Sequence, residues 1–327
     1  MSTISVAIDS GKHSTKAVSR SNQEWIKMKI RTKGQEVENL GVEIARNSYA
    51  IEFHGKHYLL GEMVSEQKGN QELTKHSLLH MLAIYIMIAR FLDQLIPERF
   101  GIPTVNLAIN VPLNIYKNAQ LKNEYGQFIW NDHKPISIKI NGKQYYFTID
   151  QLLLLPEATG SIYTNMNEYR NKRVLVIDIG GLNVNYAIFD QLVPQIDSLF
   201  SNNHGTNLLR SRIREALSSR FGTAISVDDA EQILMDGILV IDGQPMEDSK
   251  TIIQHAIRDH LVELMNDAKS HGISLNNTQL LFTGGGSLLC KNAIIKAYPY
   301  AEIDQEGEFS NVLSFYKIME AKGIANV

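Results

Sequence analysis

Two segments of the chain share one construction: ISVAIDSGKHSTKAV at residues 4–18 and VLVIDIGGLNVNYAI at residues 174–188. Each is an apolar β-type run that ends in aspartate, turns on glycine and returns as a second run. Asp9 and Gly11 lead the first; Asp178, Gly180 and Gly181 lead the second. The two aspartates stand 169 positions apart in a chain of 327 residues. A repeat at about half the chain length reads as an internal duplication and restricts the fold to one with two related halves. Facing Asp-x-Gly hairpins can hold a nucleotide's phosphate tail and its metal between two domains.

The bulk properties agree with two soluble domains. At 100–200 residues per domain, this length predicts two. The formal charge of −3 carries no electrostatic footprint for nucleic acid. The single cysteine, Cys290, excludes an intrachain disulfide or a Cys-rich zinc site and fits a reducing cytoplasm. The N-terminus enters a strand directly, without the basic and apolar regions of a secretory signal. The longest apolar stretch, LLHMLAIYIMIARFL at residues 78–92, includes His80 and Arg90. It is too short and polar to span a bilayer unaided and reads as a buried core helix, so no membrane partner is expected.

Along the first half, the hairpin at 4–20 precedes β-type runs that turn at His54-Gly55-Lys56, then a helix over about 75–95 ended by Pro97 and Gly101-Ile102-Pro103. VNLAINVPL at 105–113 reads as a buried strand. SIKI and KQYYFTI alternate about Asn141-Gly142, a dipeptide suited to a type I′ turn. QLLLLPEATG leads out of that sheet. In the second half, Thr206 is the expected N-cap of a helix whose face carries Leu208, Leu209, Ile213, Ala216 and Leu217. A short helix is expected at 227–236, a turn at 241–245 and a long helix at 249–268. TQLLFTGGGSLL at 278–289 reads as strand, triple glycine and helix start. The mixture indicates an α/β fold with mixed sheets.

Four places in this layout can carry chemistry. In the first hairpin, Gly11 permits close backbone approach, and the amides of residues 10–14, including Ser10 and Lys12, can form an anion-binding nest. Lys16 can reach back to a phosphate, and Asp9 can hold Mg²⁺ through water. An ordinary hairpin with a solvated lysine would give the same pattern. In the second, Asp178 ends an apolar run where an unpaired buried carboxylate would be costly, so it should meet a metal, a donor or solvent. Gly180-Gly181 offers a second cradle. Asn183 and Asn185 share a face of the returning strand, as ligand-facing groups or as a solvent-facing pair. Gly284-Gly285-Gly286 suggests a close ligand or a tight turn. Glu157, in LLPEATG, lies at an apparent domain crossing, where it either points toward a γ-phosphate or serves as a helix-terminal carboxylate.

In order, these sites read Asp-x-Gly-x4-Lys, Asp-x-Gly-Gly and Thr-Gly-Gly-Gly. Together they resemble the phosphate 1, phosphate 2 and adenosine segments of the actin-like ATPase superfamily. The resemblance is strongest to ParM-like plasmid-segregation actins and archaeal actin homologues. The Asn-Gly hairpin before LLLLPEATG, NVPL at 110–113 and FSNVLSFY at 309–316 extend it nearly end to end, with residues 20–100 matching loosely. It implies ATP or ADP with Mg²⁺ as ligands. Asp9 and Asp178 then match the acidic residues around the metal and its waters. Gly11 and Lys16, with Ser10 and Lys12 in the same loop, match the β-phosphate site. Gly180 and Gly181, with Asn183 beside them, match the second phosphate loop, and Glu157 the water-orienting glutamate. Gly284, Gly285 and Gly286 match the adenosine loop, Gly205 the start of a helix beside the nucleotide, and Glu231 a ribose- or adenine-contacting helix.

The second hairpin departs from the family's usual Asp-x-Gly-x-x-Thr-x-Asp at Leu182, Asn183 and Asn185. Asn185 can orient water but cannot take its proton, which bears on the hydrolysis rate more than on nucleotide binding. The expected architecture is an actin-like, ribonuclease H-like duplicated α/β fold with an interdomain nucleotide cleft. Domain I comprises residues 1–158 plus 309–327, and domain II residues 159–308. The expected function is a cytoplasmic ATPase whose nucleotide-controlled filaments move plasmid DNA through a DNA-binding adaptor protein, without direct nucleic-acid contact. A metabolic kinase or a non-polymerising chaperone-type ATPase on the same fold are the alternatives.

Overall fold

The computed structural model describes residues 2–38, 43–65, 77–98 and 100–325. The chain divides into two compact units, Met1–Glu157 with Asn311–Val327, and Ala158–Ser310.

The first unit contains β1 (Thr3–Ser10), β2 (Ser14–Ser21), β3 (Glu24–Arg31), β4 (Gly34–Val37), β5 (Ser48–Phe53), β6 (Lys56–Gly61), α1 (Leu78–Leu95), β7 (Thr104–Val111), α2 (Leu113–Tyr116), α3 (Ala119–Trp130), β8 (Ile136–Ile140) and β9 (Lys143–Pro156). Its strands form one sheet in the order β3-β2-β1-β7-β9-β8-β5-β6-β4. The expected start of the α1 helix at residue 75 lies outside the described residues. Ser77 caps α1, its Oγ accepting from the His80 N–H. α1 is long and apolar enough to cross a membrane, but 67% of its span is buried inside the unit. Its residues Tyr85, Ile88 and Phe91 pack in a cluster with Ile4, Val6, Val105 and Phe147. Each such side chain contributes about 1.5–3 kcal/mol when taken fully out of water.

KQYYFTI and QLLLLP, read from sequence as separate pieces, form the single strand β9. Its register against β7 slips between Val105 and Asn106, where Ile149 and Gln151 are the successive partners. Asp150 is therefore the extra residue of a bulge, which re-aims the last turn of alternation before Glu157.

The second unit contains α4 (Met166–Tyr169), β10 (Arg173–Ile179), β11 (Val184–Asp190), β12 (Val193–Pro194), β13 (Phe200–Asn202), α5 (Thr206–Phe221), α6 (Val227–Asp236), β14 (Leu239–Ile241), β15 (Gln244–Met246), α7 (Glu247–Ser270), β16 (Gln279–Thr283), α8 (Gly285–Leu289), α9 (Lys291–Ala297) and β17 (Glu302–Ile303). The main sheet runs β12-β11-β10-β16-β17, with β13 also paired to β11. Leu209, Ile213 and Leu217 of α5 and Ile253, Leu261 and Leu264 of α7 fill its core. The buried stripe of α5 is narrower than expected: Leu208 is half-buried and Ala216 exposed. Gly205, not Thr206, is the N-cap, and Thr206 opens the helix.

Five strands recur in the same order in both units: β3-β2-β1-β7-β9 and β12-β11-β10-β16-β17. In each, an antiparallel hairpin is followed by a strand parallel to its first member, β1 with β7 and β10 with β16. The duplication seen in sequence is thus a duplication of topology.

The last helix, α10 (Ser310–Ala321), belongs to the first unit for nearly its whole length. Arg20 on β2 donates to Glu320 at 2.6 Å, and Asn106 on β7 donates to the Ile324 carbonyl at 2.7 Å.

Candidate functional site

The first hairpin builds its turn from a glycine and a lysine. A Cβ at Gly11 would meet the Ser14 carbonyl oxygen at 2.6 Å, so no larger residue fits. The same point lies 3.6 Å from Lys16 Nζ, which places the ammonium over the turn. Lys16 is the direct cross-strand partner of Asp9. Asp9 is 8% exposed at the end of β1, and Lys12 and Lys16 are half-buried. The turn is also clasped from β3, which sequence did not reveal. Thr32 Oγ1 donates to the Gly11 carbonyl at 2.7 Å, and Arg31 contacts the His13 ring.

Glu157 follows directly on β9 and is 6% exposed. It stands at a bend, not at a helix N-terminus, so the helix-terminal reading of this carboxylate is corrected. The next residue, Ala158, has φ 59°, a left-handed conformation uncommon for a residue with a Cβ. Asn110 Nδ2 donates to Glu157 Oε1 at 3.2 Å, and Asn110 Oδ1 accepts from the Ser10 N–H at 2.8 Å. Burial raises the Tyr125 hydroxyl pKa, and the carboxylates of Glu157 and Asp9 raise it further. Within the first unit, Ser10, Asn110 and Glu157 are therefore linked by hydrogen bonds, with the Tyr125 hydroxyl in electrostatic reach of Glu157 and Asp9.

The second hairpin repeats the turn with different support. A Cβ at Gly180 would meet the Asn183 carbonyl at 2.8 Å. Asp178, 9% exposed, faces Asn185 across the hairpin and Thr283 on the parallel side. Asn183 lies in the turn before β11 and donates to Asn185 Oδ1 at 3.1 Å. Asn185 is buried, which rules out the solvent-facing pair. Helix α5 docks on this turn: Thr206 N–H donates to Gly180 O at 3.0 Å and Asn207 N–H to Gly181 O at 2.8 Å. Helix N-termini leave such donors unsatisfied. Here the turn carbonyls take two of them.

Gly205 is required by this docking, since its Cβ would fall 2.4 Å from Gly181 O. The triple glycine divides in the same way. A Cβ at Gly284, whose φ is +83°, would strike Asp178 Oδ1 at 2.4 Å; one at Gly286 would strike Ile179 Cγ2 at 2.3 Å and Thr206 Cγ2 at 2.7 Å. A Cβ at Gly285 meets nothing within 4 Å. Within the second unit, the hairpin, the start of α5 and the triple glycine are thus brought together. Glu231 joins them indirectly: its Oε1 accepts from Arg210 Nη2 at 3.1 Å, and Arg210 donates to Asn207 at 2.9 Å. Cys290 takes no part; burial pushes its thiol up to about 12.

The donor set suits Mg²⁺ and a phosphate chain. Among the described residues, no group of three His, Cys, Asp or Glu side chains could cage a metal. Mg²⁺ keeps several waters and needs only one or two carboxylates, and each unit presents one buried aspartate at the end of a hairpin strand, Asp9 in the first and Asp178 in the second. Two buried hydroxyl oxygens beside these carboxylates, Ser10 Oγ and Thr283 Oγ1, have no hydrogen-bond partner, and unsatisfied buried polar groups are costly without a ligand or water. Sequence missed Asn110, Thr32 and Arg31, and gave Thr283, the first residue of the Thr-Gly-Gly-Gly segment, no role of its own. The other three left no local signal.

Residues 7–160 match the family described as the N-terminal domain of actin-like proteins. A search of curated protein sequences gives no match. Among solved structures, an Alp12 filament structure is similar over 99% of this chain and 100% of that one, at 27% identity and a TM-score of 0.74. A 15-stranded ParM filament from Clostridium botulinum is similar over 98% and 100%, at 16% identity and a TM-score of 0.73. The archaeal actin homologue Ta0583 in complex with ADP is similar over 97% and 99%, at 15% identity and a TM-score of 0.70. The chain has the actin-like fold.

Proposed function

We propose that this chain is a Mg²⁺-dependent ATPase that assembles into filaments and moves plasmid DNA in the cytoplasm through a DNA-binding adaptor protein. The observation that carries the reading is the pair of like-built hairpins, each placing a buried aspartate beside a glycine turn at the end of a sheet strand. Its similarity to the Alp12 filament structure over the full chain supports self-association, and the ADP complex of Ta0583 supports an adenine nucleotide as ligand.

In this reading Gly11, Lys12, Lys16 and the Ser10 region hold the β-phosphate, and Gly180, Gly181 and Asn183 the next phosphate. Gly284, Gly285 and Gly286 lie against the adenosine, with Glu231 and the Gly205 helix start supporting that side. Asp9 and Asp178 hold Mg²⁺ and its waters, and the bound ion supplies charge neutralisation at the phosphate oxygens. Glu157 orients the attacking water, and catalysis is mainly positioning and electrostatic stabilisation. ATP favours the filament, and hydrolysis weakens it by shifting the conformational population.

High-speed sedimentation with ATP, ADP and a non-hydrolysable analogue, alongside light scattering and phosphate release, tests this directly. Assembly with ATP or the analogue, followed by loss of scattering as ATP is consumed, is the expected result. Nucleotide turnover without assembly would point instead to a kinase or a chaperone-type ATPase.

A further inference from the structure

The central strand of the first unit's parallel trio, β7, carries a buried asparagine as its penultimate residue. Asn110 is 0% exposed and flanked by β1 on one side and β9 on the other. Its side chain spans both neighbours at the point where Ser10 and Glu157 leave the sheet. The Ser10 N–H can only donate, so the amide atom facing it at 2.8 Å must be the oxygen. This fixes the flip and leaves Nδ2 to donate to Glu157 Oε1 at 3.2 Å. The Glu157 N–H adds a backbone bond to the Val111 carbonyl at 3.4 Å.

We propose that Asn110 is a positioning residue that sets the Glu157 carboxylate according to the position of the first hairpin loop. The inference rests on the reading of Glu157 as the water-orienting group. Coupling needs an acceptor toward one neighbour and a donor toward the other, and a primary amide supplies both from one rigid plane. An ionised carboxyl offers only acceptors and repels Glu157; an apolar side chain offers neither. A shift of the Ser10 amide on phosphate binding is carried by one side chain, with no intervening rotatable partner, to the buried Glu157 carboxylate. Hydrolysis then proceeds only when the loop is in its ligand-bound position.

The test is a double-mutant cycle on the full chain, with Asn110→Ala, Glu157→Gln and the double variant. ATP affinity is measured by calorimetry and single-turnover phosphate release by stopped flow. Asn110→Ala is expected to slow release by about 10- to 100-fold, part of the roughly 10²–10⁴-fold of a positioned acid–base group, with ATP affinity within about threefold. The double variant should be no slower than Glu157→Gln alone, because residues that act as a unit are not additive. A wild-type rate for Asn110→Ala, or effects that multiply, overturns the proposal. A wild-type rate for Glu157→Gln overturns the reading of Glu157 instead.

Should Asn110→Ala fail to fold, the isosteric Asn110→Asp decides. Its carboxylate still accepts from the Ser10 N–H but cannot donate to Glu157 and repels it, so phosphate release should again slow by about 10- to 100-fold. A wild-type rate for Asn110→Asp overturns the proposal.

Discussion

The two hairpins occupy the same place in the two halves of a duplicated topology, yet they answer the same buried aspartate differently. Across from Asp9 stands the cation Lys16; across from Asp178 stands the neutral Asn185. The first turn is held by side chains of a neighbouring strand, Thr32 and Arg31. The second is held by the backbone amides that open α5. What persisted through duplication is the part fixed by backbone geometry: a strand end, a carboxylate and a glycine whose Cβ would strike a carbonyl three residues on. The parts that diverged are side chains, which can be exchanged without re-registering a sheet. The first hairpin is therefore cationic across from its aspartate, and the second is neutral there.

The comparison breaks most sharply at the shared feature. If both aspartates hold the metal, Asp9→Ala and Asp178→Ala should each lower Mg²⁺-dependent ATP affinity by roughly 10- to 100-fold, the scale of lost contacts to charged groups. Circular dichroism should show both variants folded. Calorimetry that finds one of them with wild-type affinity would confine the metal to the other hairpin.

The halves also differ in acid. α7 in the second unit carries His260, 0% exposed, with both ring nitrogens lacking a hydrogen-bond partner. Burial and the nearby Arg212 and His204 lower its pKa to about 4, against the opposing pull of Glu263 and Asp267. The folded form thus resists protonation more than the unfolded chain, whose histidine titrates near 6.5. Stability from the neutral, buried ring is complete above about pH 6.5 and is lost as pH falls toward 4, by roughly 3 kcal/mol in all. Denaturant unfolding of the wild type should show this loss between pH 7 and pH 4, and His260→Leu should lack it. Parallel pH profiles for the two proteins would contradict the assignment.

Much of this was legible in the sequence because it is local. An apolar run, an aspartate and a glycine announce a hairpin wherever the chain puts it, and Asn141-Gly142 and His54-Gly55-Lys56 likewise turned where expected. Helix α6 begins and ends at the expected residues because Ser226 and Asp229 form a capping box and Gly237 closes the helix in a left-handed conformation. The polar residues that support the site were not legible, because strand register brings them there. Asn110 lies 100 residues from Ser10 and 47 from Glu157. Thr32 reaches Gly11 only through the β2–β3 pairing. Gly205 was singled out correctly as a start of structure, but its reason is backbone contact with Gly181, which no local pattern encodes.

The charge difference between the hairpins can be removed. Lys16→Asn gives the first hairpin the cross-strand residue of the second. ATP affinity should fall about tenfold, with a weaker dependence on salt, since one cation over the turn is lost. Asn185→Ala should leave affinity near wild type and alter phosphate release instead, because Asn185 is a neutral amide partnered by Asn183. If both variants lose affinity equally, the division into cationic and neutral halves does not hold.

The smallest effect separates packing from ligand contact in the second unit alone. Gly284 and Gly286 must be glycine for internal reasons: Asp178 and Ile179 crowd the first, and Ile179 and Thr206 crowd the second. Gly285 has no such reason. It opens α8, and a methyl group there meets nothing within 4 Å. Alanine favours a helix over glycine by up to about 1 kcal/mol, so Gly285→Ala should raise thermal stability slightly or leave it unchanged. Gly286→Ala, by contrast, should destabilise by about 1–3 kcal/mol, the usual cost of overpacking. If the adenosine of the proposed nucleotide lies against Gly285, the added methyl group should weaken ATP while inorganic pyrophosphate, which lacks the nucleoside, binds as before. A Gly285→Ala protein that is stable and binds both equally well would place the nucleoside elsewhere, and would reduce the triple glycine to a tight strand-to-helix turn.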